Sequence, residues 1–77
     1  MGRREVQREI NKYNEKFNKL YKESRDIKVL SNKVCLMNDY EKYQIVFCTS
    51  TRTVVEATTY RELLENFIDY QKRRNIQ

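Results

Sequence analysis

Residues 34–57, with the sequence VCLMNDYEKYQIVFCTSTRTVVEA, decide the fold class of this chain. Apolar and polar side chains alternate along three short runs that are rich in β-branched and aromatic residues. Asn38-Asp39 separates the first two runs and Thr49-Ser50-Thr51 separates the last two, and these residue types favour turns. The pattern predicts a three-stranded antiparallel β-meander, with strands at about residues 33–38, 43–49 and 52–57.

A long helix is predicted before the strands. Apolar residues recur from Val6 onward at alternating steps of four and three positions, which is the spacing of one helix face. Strong helix formers dominate this stretch and helix breakers are absent, so we place the helix at about residues 3–28. The face contains Val6, Ile10, Tyr13, Phe17 and Leu20, and Ile27 continues it.

A second helix is predicted after the strands. Thr59-Tyr60-Arg61-Glu62 matches a capping box and precedes an apolar stripe at helical spacing,. We place this helix at about residues 60–74. The 77 residues then form one small α+β domain, residues 1–77, with the order α-β-β-β-α,.

This element order is similar to that of double-stranded-RNA-binding domains. Three strands followed by a helix are also similar to the arm-DNA-binding modules of phage and transposon integrases. The first family carries a glycine-rich strand region and a Lys-Lys-x-Ala start to its last helix. Here that helix begins with Thr59-Tyr60-Arg61-Glu62 and the strands contain no glycine. The similarity concerns order alone, and order does not assign a function.

The composition excludes several kinds of active site. The chain contains no histidine, one glycine and two cysteines. Ser-His and Cys-His nucleophile pairs, His-ligated metals and four-thiolate sites are therefore impossible within one chain, and a lone Gly2 cannot build a phosphate-binding loop. No pair of carboxylates lies in an apolar setting. We expect no catalytic residue, no metal and no cofactor, and hence a protein that is not an enzyme.

The apolar segments predict the compartment. No apolar run approaches the length of a membrane span, and the first residues lack the apolar core of a signal peptide. Cys35 and Cys48 lie inside apolar segments, where cysteine usually acts as a small buried hydrophobe. We expect a cytoplasmic protein with reduced thiols and no membrane contact.

Positive charge is concentrated in the first helix. The chain has 16 Lys and Arg against 11 Asp and Glu, a formal charge of +5, and residues 1–33 alone hold ten against five. Basic residues recur at steps of four from Arg4 to Lys16, and such an i, i+4 stripe can lie along a phosphate backbone, although acids on the same arc favour a solvated, salt-bridged helix face,. The candidate nucleic-acid-binding residues are Arg4, Arg8, Lys12, Lys16, Lys72, Arg73 and Arg74.

A polar flank of the first helix and the first hairpin form the candidate partner-binding surface. Asparagine is a poor helix former, so a row of it at helical spacing suggests a hydrogen-bonding surface, with AT-rich codon usage as the competing explanation. An exposed tyrosine beside a lysine can anchor a protein interface. The candidate residues are Asn11, Asn14, Asn18, Tyr40 and Lys42.

The apolar surfaces predict a homodimer. The first helix is longer than a compact domain of this size, so part of its apolar face needs the second helix, a second copy or another protein. The second sheet face is also largely apolar, so either a helix covers each face, or both helices share one face and the other face meets a partner. The candidate oligomer seam is Val6, Ile10, Tyr13, Phe17 and Leu20.

These features predict a small non-catalytic binding protein. Its size and composition are similar to those of accessory proteins of phages and mobile elements, so we expect it to dock on a host protein or nucleoprotein complex and to inhibit it. A direct DNA- or RNA-binding regulator that uses the basic face of the first helix is the alternative. A structural homo-oligomer is the second alternative.

Overall fold

The structure, a computed structural model, describes residues 2–75. Its element order confirms the predicted α+β fold class: a long N-terminal helix, a three-stranded antiparallel sheet and a C-terminal helix. The elements are α1 (Arg3–Ser24), a 3₁₀ helix (Ile27–Asn32), β1 (Val34–Asn38), β2 (Tyr43–Phe47), β3 (Thr53–Ala57) and α2 (Tyr60–Asn75).

Helix α1 ends four residues earlier than the apolar spacing predicts. Arg25 adopts the left-handed conformation at φ 60°, and its N–H donates to the Tyr21 carbonyl at 2.8 Å. The Asp26 carboxylate then accepts from Lys28 N at 3.0 Å and starts the 3₁₀ helix. Ile27, which the pattern placed on the apolar face, is 71% exposed. The prediction was wrong here because local capping by Asp26 outweighs a spacing that continues across the break.

The sheet has the order β1-β2-β3 with both pairs antiparallel. Leu36 lies opposite Ile45, and Ile45 lies opposite Val55. The next residue, Val46, pairs with Thr53, so Val54 is one extra residue on β3 and forms a β-bulge,. Because of this irregularity, both Val54 and Val55 pack against the core.

Both helices lie on the same face of the sheet. The buried core combines Val6, Ile10 and Tyr13 of α1 with Leu63 and Phe67 of α2 and with Val34, Ile45 and Ala57 of the strand region. The opposite face carries Cys35, Met37 and Val46; Val46 is 1% exposed, but none of the three belongs to this cluster. The two α-helices therefore share one face, as in the second predicted arrangement, and a partner on the other face stays a prediction.

The predicted oligomer seam is largely an internal surface. Val6, Ile10 and Tyr13 are 0%, 1% and 5% exposed within the single chain. The second helix and the sheet cover them, so these three residues cannot contact another copy without unfolding, and their assignment to a seam was wrong. Phe17 is half-buried, and Leu20 remains 47% exposed.

Within residues 2–75, neither long helix is both apolar enough and long enough to cross a membrane. The described part of the chain measures 38 × 24 × 22 Å. At about 1.5 Å per residue, the 22 residues of α1 span about 33 Å, so this helix follows most of the long axis,. Its two ends therefore present separate surfaces.

Candidate nucleic-acid interface

The first turns of α1 are anchored by their own capping contact. Gly2 N donates to Glu5 Oε2 at 2.8 Å. Backbone amides that bond to this carboxylate favour its charged form and hold the pKa of Glu5 below its usual value,. A charged carboxylate at a helix N-terminus also complements the helix dipole, so the start of α1 is well defined.

Three arginines share a shallow depression on these turns. The depression has a volume of about 590 Å³ and is lined by Arg3, Arg4, Gln7, Arg8 and Asn11. The arginines are exposed, and Gln7 Nε2 donates to Asn11 Oδ1 at 3.0 Å. Among the described residues, no Asp or Glu lines the depression. The Glu5 carboxylate on the same turns interacts with the charge of Arg8 but is bonded to Gly2 N, so the depression keeps an excess of exposed positive charge.

Ion pairs distinguish α1 from the rest of the described chain. The sheet and α2 hold three of them: Lys42–Glu56 at 2.7 Å, Arg61–Glu65 at 3.7 Å and Arg73–Asp69 at 3.0 Å. Helix α1 holds one, between Lys12 and Glu9, at 4.0 Å. Among residues 2–75, the sequence-based expectation of a salt-bridged face on α1 is thus met by a single long contact.

The predicted basic residues fall on two separate surfaces. Arg4 and Arg8 lie in the depression, together with Arg3, which the sequence analysis missed because the i, i+4 stripe was counted from Arg4. Lys16 and Arg74 instead line a groove between the two helices. Of the rest, Lys12 and Arg73 form the ion pairs given above, and Lys72 is exposed on α2.

The predicted partner-binding asparagines differ in their contacts. The Asn14 amide bonds to both backbone groups of Val34, at 2.8 and 2.9 Å, so it ties α1 to β1. Asn11 is exposed, accepts from Gln7 Nε2 and lines the depression. Asn18 is half-buried. A binding role for these residues stays a prediction, with Asn11 the best exposed of the three.

The predicted hairpin residues, Tyr40 and Lys42, lie between β1 and β2 and not on α1. Tyr40 is fully exposed, at 104% of its reference area, and its N–H donates to Asp39 Oδ1 at 2.7 Å. Lys42 Nζ donates to Glu56 Oε2 at 2.7 Å, and this contact raises the pKa of Lys42. Lys42 is therefore engaged across the sheet, whereas Tyr40 is free to contact a partner.

The two cysteines are neighbours on the sheet face opposite α1 and α2. Cys35 lies opposite Val46, and Cys48 N donates to the Lys33 carbonyl at 3.0 Å, so the thiols are diagonal neighbours. Burial is the main cause that raises the pKa of Cys35, and its hydrogen bond with the Cys48 thiol raises this pKa further. Cys35 is half-buried, but Cys48 is exposed, so its predicted burial was wrong, because β2 already ends at Phe47.

The surfaces described above can bind anions through guanidinium, ammonium and amide donors. In the described residues, no group of three His, Cys, Asp or Glu side chains is arranged to hold a metal ion. No family model matches this chain, and no curated protein and no solved structure is significantly similar to it.

Proposed function

We propose that this chain is a non-catalytic nucleic-acid-binding protein whose contact surface is the depression on the first turns of α1. The observation that carries the proposal is the group of three exposed arginines, Arg3, Arg4 and Arg8, with no carboxylate among the lining residues. Each guanidinium presents donors in a planar fork that matches a phosphate. Phosphate contacts supply most of the affinity of sequence-independent nucleic-acid binding.

Two further features support this surface. The depression lies at the N-terminal end of α1, where the helix dipole adds a positive potential,. The amides of Gln7 and Asn11 lie beside the arginines and can bond to sugars or base edges,. The surface thus combines charge for attraction with neutral donors and acceptors for orientation.

Three phosphate contacts set the expected salt dependence. The binding constant then falls with a slope of about −2.7 on a double-logarithmic plot against salt concentration. Between 50 and 200 mM salt this corresponds to a loss of about fortyfold in affinity. Labelled mixed-sequence DNA and RNA oligonucleotides, followed by fluorescence anisotropy, measure this slope directly.

A pair of matched variants tests whether the depression makes the contacts. We expect Arg8→Gln to reduce the slope by about one unit, because it removes one phosphate contact. Arg61→Gln removes the same charge from α2, where Arg61 pairs with Glu65, and should leave the slope unchanged. Equal effects of the two variants would show that net charge alone drives binding. Absence of binding at 50 mM salt would refute the proposal.

Tyr40 favours a second candidate function, docking on a protein or nucleoprotein complex. Tyr40 is fully exposed on a hairpin and comes three residues after Met37, which is 40% exposed. It therefore offers an aromatic anchor of the kind that dominates protein interfaces.

A photo-crosslinking p-benzoylphenylalanine at position 40 should capture a discrete partner in extract of a candidate host. The same group at position 61 should capture none. An identical pattern at both positions would contradict this candidate, and an inhibitory role would need a separate assay on the captured complex.

A further inference from the structure

A second surface that the proposed function does not use lies between the C-terminal halves of the two helices. It is a groove with a volume of about 280 Å³. Leu20 is among the most exposed large apolar side chains of the described chain, and Phe17 beside it is half-buried. The lining residues are Tyr13, Lys16, Phe17 and Leu20 of α1 and Gln71 and Arg74 of α2.

The charged residues of the groove are both cations. Lys16 forms no ion pair among residues 2–75. Arg74 Nη1 donates to the neutral Tyr70 hydroxyl at 2.8 Å, and its guanidinium lies 5.7 Å from the centre of the Tyr70 ring. Glu9 is not a lining residue, but its carboxylate accepts from Gln71, which is one, at 3.3 Å. The same carboxylate lies 4.0 Å from Lys12 and forms an ion pair with it. The groove therefore offers two positive charges beside an apolar wall.

A buried hydroxyl without a partner lies at the same place. Tyr13 is 5% exposed, and its Oη forms no hydrogen bond of good geometry, although the Tyr70 hydroxyl is its neighbour. Burial raises the pKa of Tyr13, so the group is a neutral O–H donor at physiological pH,. The Tyr13 Oη is shielded from solvent, with the Tyr70 hydroxyl as its neighbour, so a ligand in the groove meets the ring of Tyr13 and not its hydroxyl.

We propose that this groove binds a small amphipathic carboxylate. The carboxylate lies between Lys16 and Arg74, and the apolar part covers Phe17 and Leu20. The volume equals about nine water molecules of about 30 Å³ each, which suits a ligand of about ten non-hydrogen atoms,. A ligand of this class would contact two cations that lack an ion pair among residues 2–75 and an exposed leucine at the same time.

Three probes separate the contributions of charge and apolar surface. Octanoate carries both features, 1-octanol has the same chain without the charge, and acetate has the charge without the chain. We expect octanoate to cause saturable amide shifts in ¹H–¹⁵N spectra, centred on the groove residues of α1 and α2. We expect 1-octanol and acetate to bind at least about tenfold more weakly, because each lacks one kind of contact. Equal binding of 1-octanol, or shifts centred elsewhere, would overturn the proposal.

Substitutions identify the residues that hold the carboxylate. Lys16→Gln and Arg74→Gln should each weaken octanoate about tenfold, the usual effect of losing one charge-assisted hydrogen bond. Lys19→Gln is the matched control, since Lys19 is exposed on α1 and does not line the groove. If Lys19→Gln weakens octanoate as much as Lys16→Gln does, the groove does not bind the carboxylate.

Tyr13→Phe is a second control for the position of the ligand. It keeps the ring and its edge contacts with Phe17 and Phe67, at centroid distances of 5.1 and 5.2 Å. Because the Tyr13 hydroxyl is shielded from solvent, we expect this variant to bind octanoate as tightly as the wild type does. A several-fold loss of octanoate affinity in the folded variant would contradict the proposed position of the carboxylate at the surface of the groove.

Discussion

The side-chain amide of Asn14 pairs with the backbone of Val34 as a neighbouring β-strand would. Asn14 Nδ2 donates to the Val34 carbonyl at 2.8 Å, and Val34 N donates to Asn14 Oδ1 at 2.9 Å. β1 is an edge strand that pairs only with β2, so this contact occupies part of its open edge. Asn66 of α2 similarly donates to the Glu56 carbonyl of β3, the other edge strand, at 3.3 Å. Edge strands that are covered in this way are protected from pairing with other chains.

The Asn14 contact predicts a large effect of one substitution. Asn14→Ala leaves the part-buried N–H and C=O of Val34 without partners, so we expect a loss of about 1–3 kcal/mol in the free energy of unfolding. For a domain of this size, each 1 kcal/mol lowers Tm by about 4–8 °C. Asn11→Ala is the control on the same helix and should stay within about 0.5 kcal/mol, because Asn11 is exposed,. Equal Tm values for the two variants would contradict the structural role of Asn14.

The internal position of the apolar face predicts different effects along α1. Ile10 is fully buried, so Ile10→Ala should cost about 2–5 kcal/mol in urea unfolding,. Leu20 is 47% exposed, so Leu20→Ala should cost under about 1 kcal/mol,. If α1 instead packed against a second copy, sedimentation equilibrium would show a dimer that Ile10→Ala dissociates without unfolding the monomer.

The unequal thiols predict two alkylation rates. Cys48 is exposed, whereas burial and its thiol neighbour raise the pKa of the half-buried Cys35. Since the thiolate is the reactive form, iodoacetamide at pH 8 should modify Cys48 first. Cys48→Ala removes the neighbour that raises the pKa of Cys35, so Cys35 should react faster in that variant. Mass spectrometry of the native protein follows both rates, and first modification at Cys35 would contradict this geometry.

The capping carboxylate of Glu5 predicts the acid limb of stability. Its pKa in the folded chain lies below the usual value of 4.5, so the unfolded chain binds more protons as the pH falls,. The stabilising contribution of Glu5 is therefore complete above pH 4.5 and is lost as the pH falls through the folded pKa. Glu5→Gln lacks this titration, so its stability should change less between pH 5 and pH 3. Parallel acid limbs in urea unfolding would show that Glu5 contributes nothing in this range.

Much of the secondary structure was predictable because its signals are local. Alternation around Ile45, the capping box at Thr59 and the apolar spacing from Val6 each depend on residues within a few positions of one another,. The structure confirms the resulting α+β order and places α2 at Tyr60–Asn75. The end of α1 was missed because the capping role of Asp26 is not visible in the apolar spacing.

The candidate surfaces were only partly predictable. The sequence indicated Arg4 and Arg8, but not that Arg3 shares their depression. It also grouped Lys16 with them, although this residue faces Arg74 across a groove that exists only once α1 and α2 are packed together. Such a pairing joins residues 58 positions apart in the chain, and no local pattern encodes it.

The sequence by itself determined the element order, the concentration of positive charge on α1 and the exclusion of histidine chemistry. These follow from composition and from interactions within single elements. Only the tertiary structure decided that both helices share one sheet face, which turned the apolar face of α1 into an internal core around Ile10 and Tyr13. The physical reason is that an apolar stripe specifies burial but not the partner that provides it. The partner is set by long-range packing, such as the contact between Asn14 and Val34 that fixes α1 on β1,.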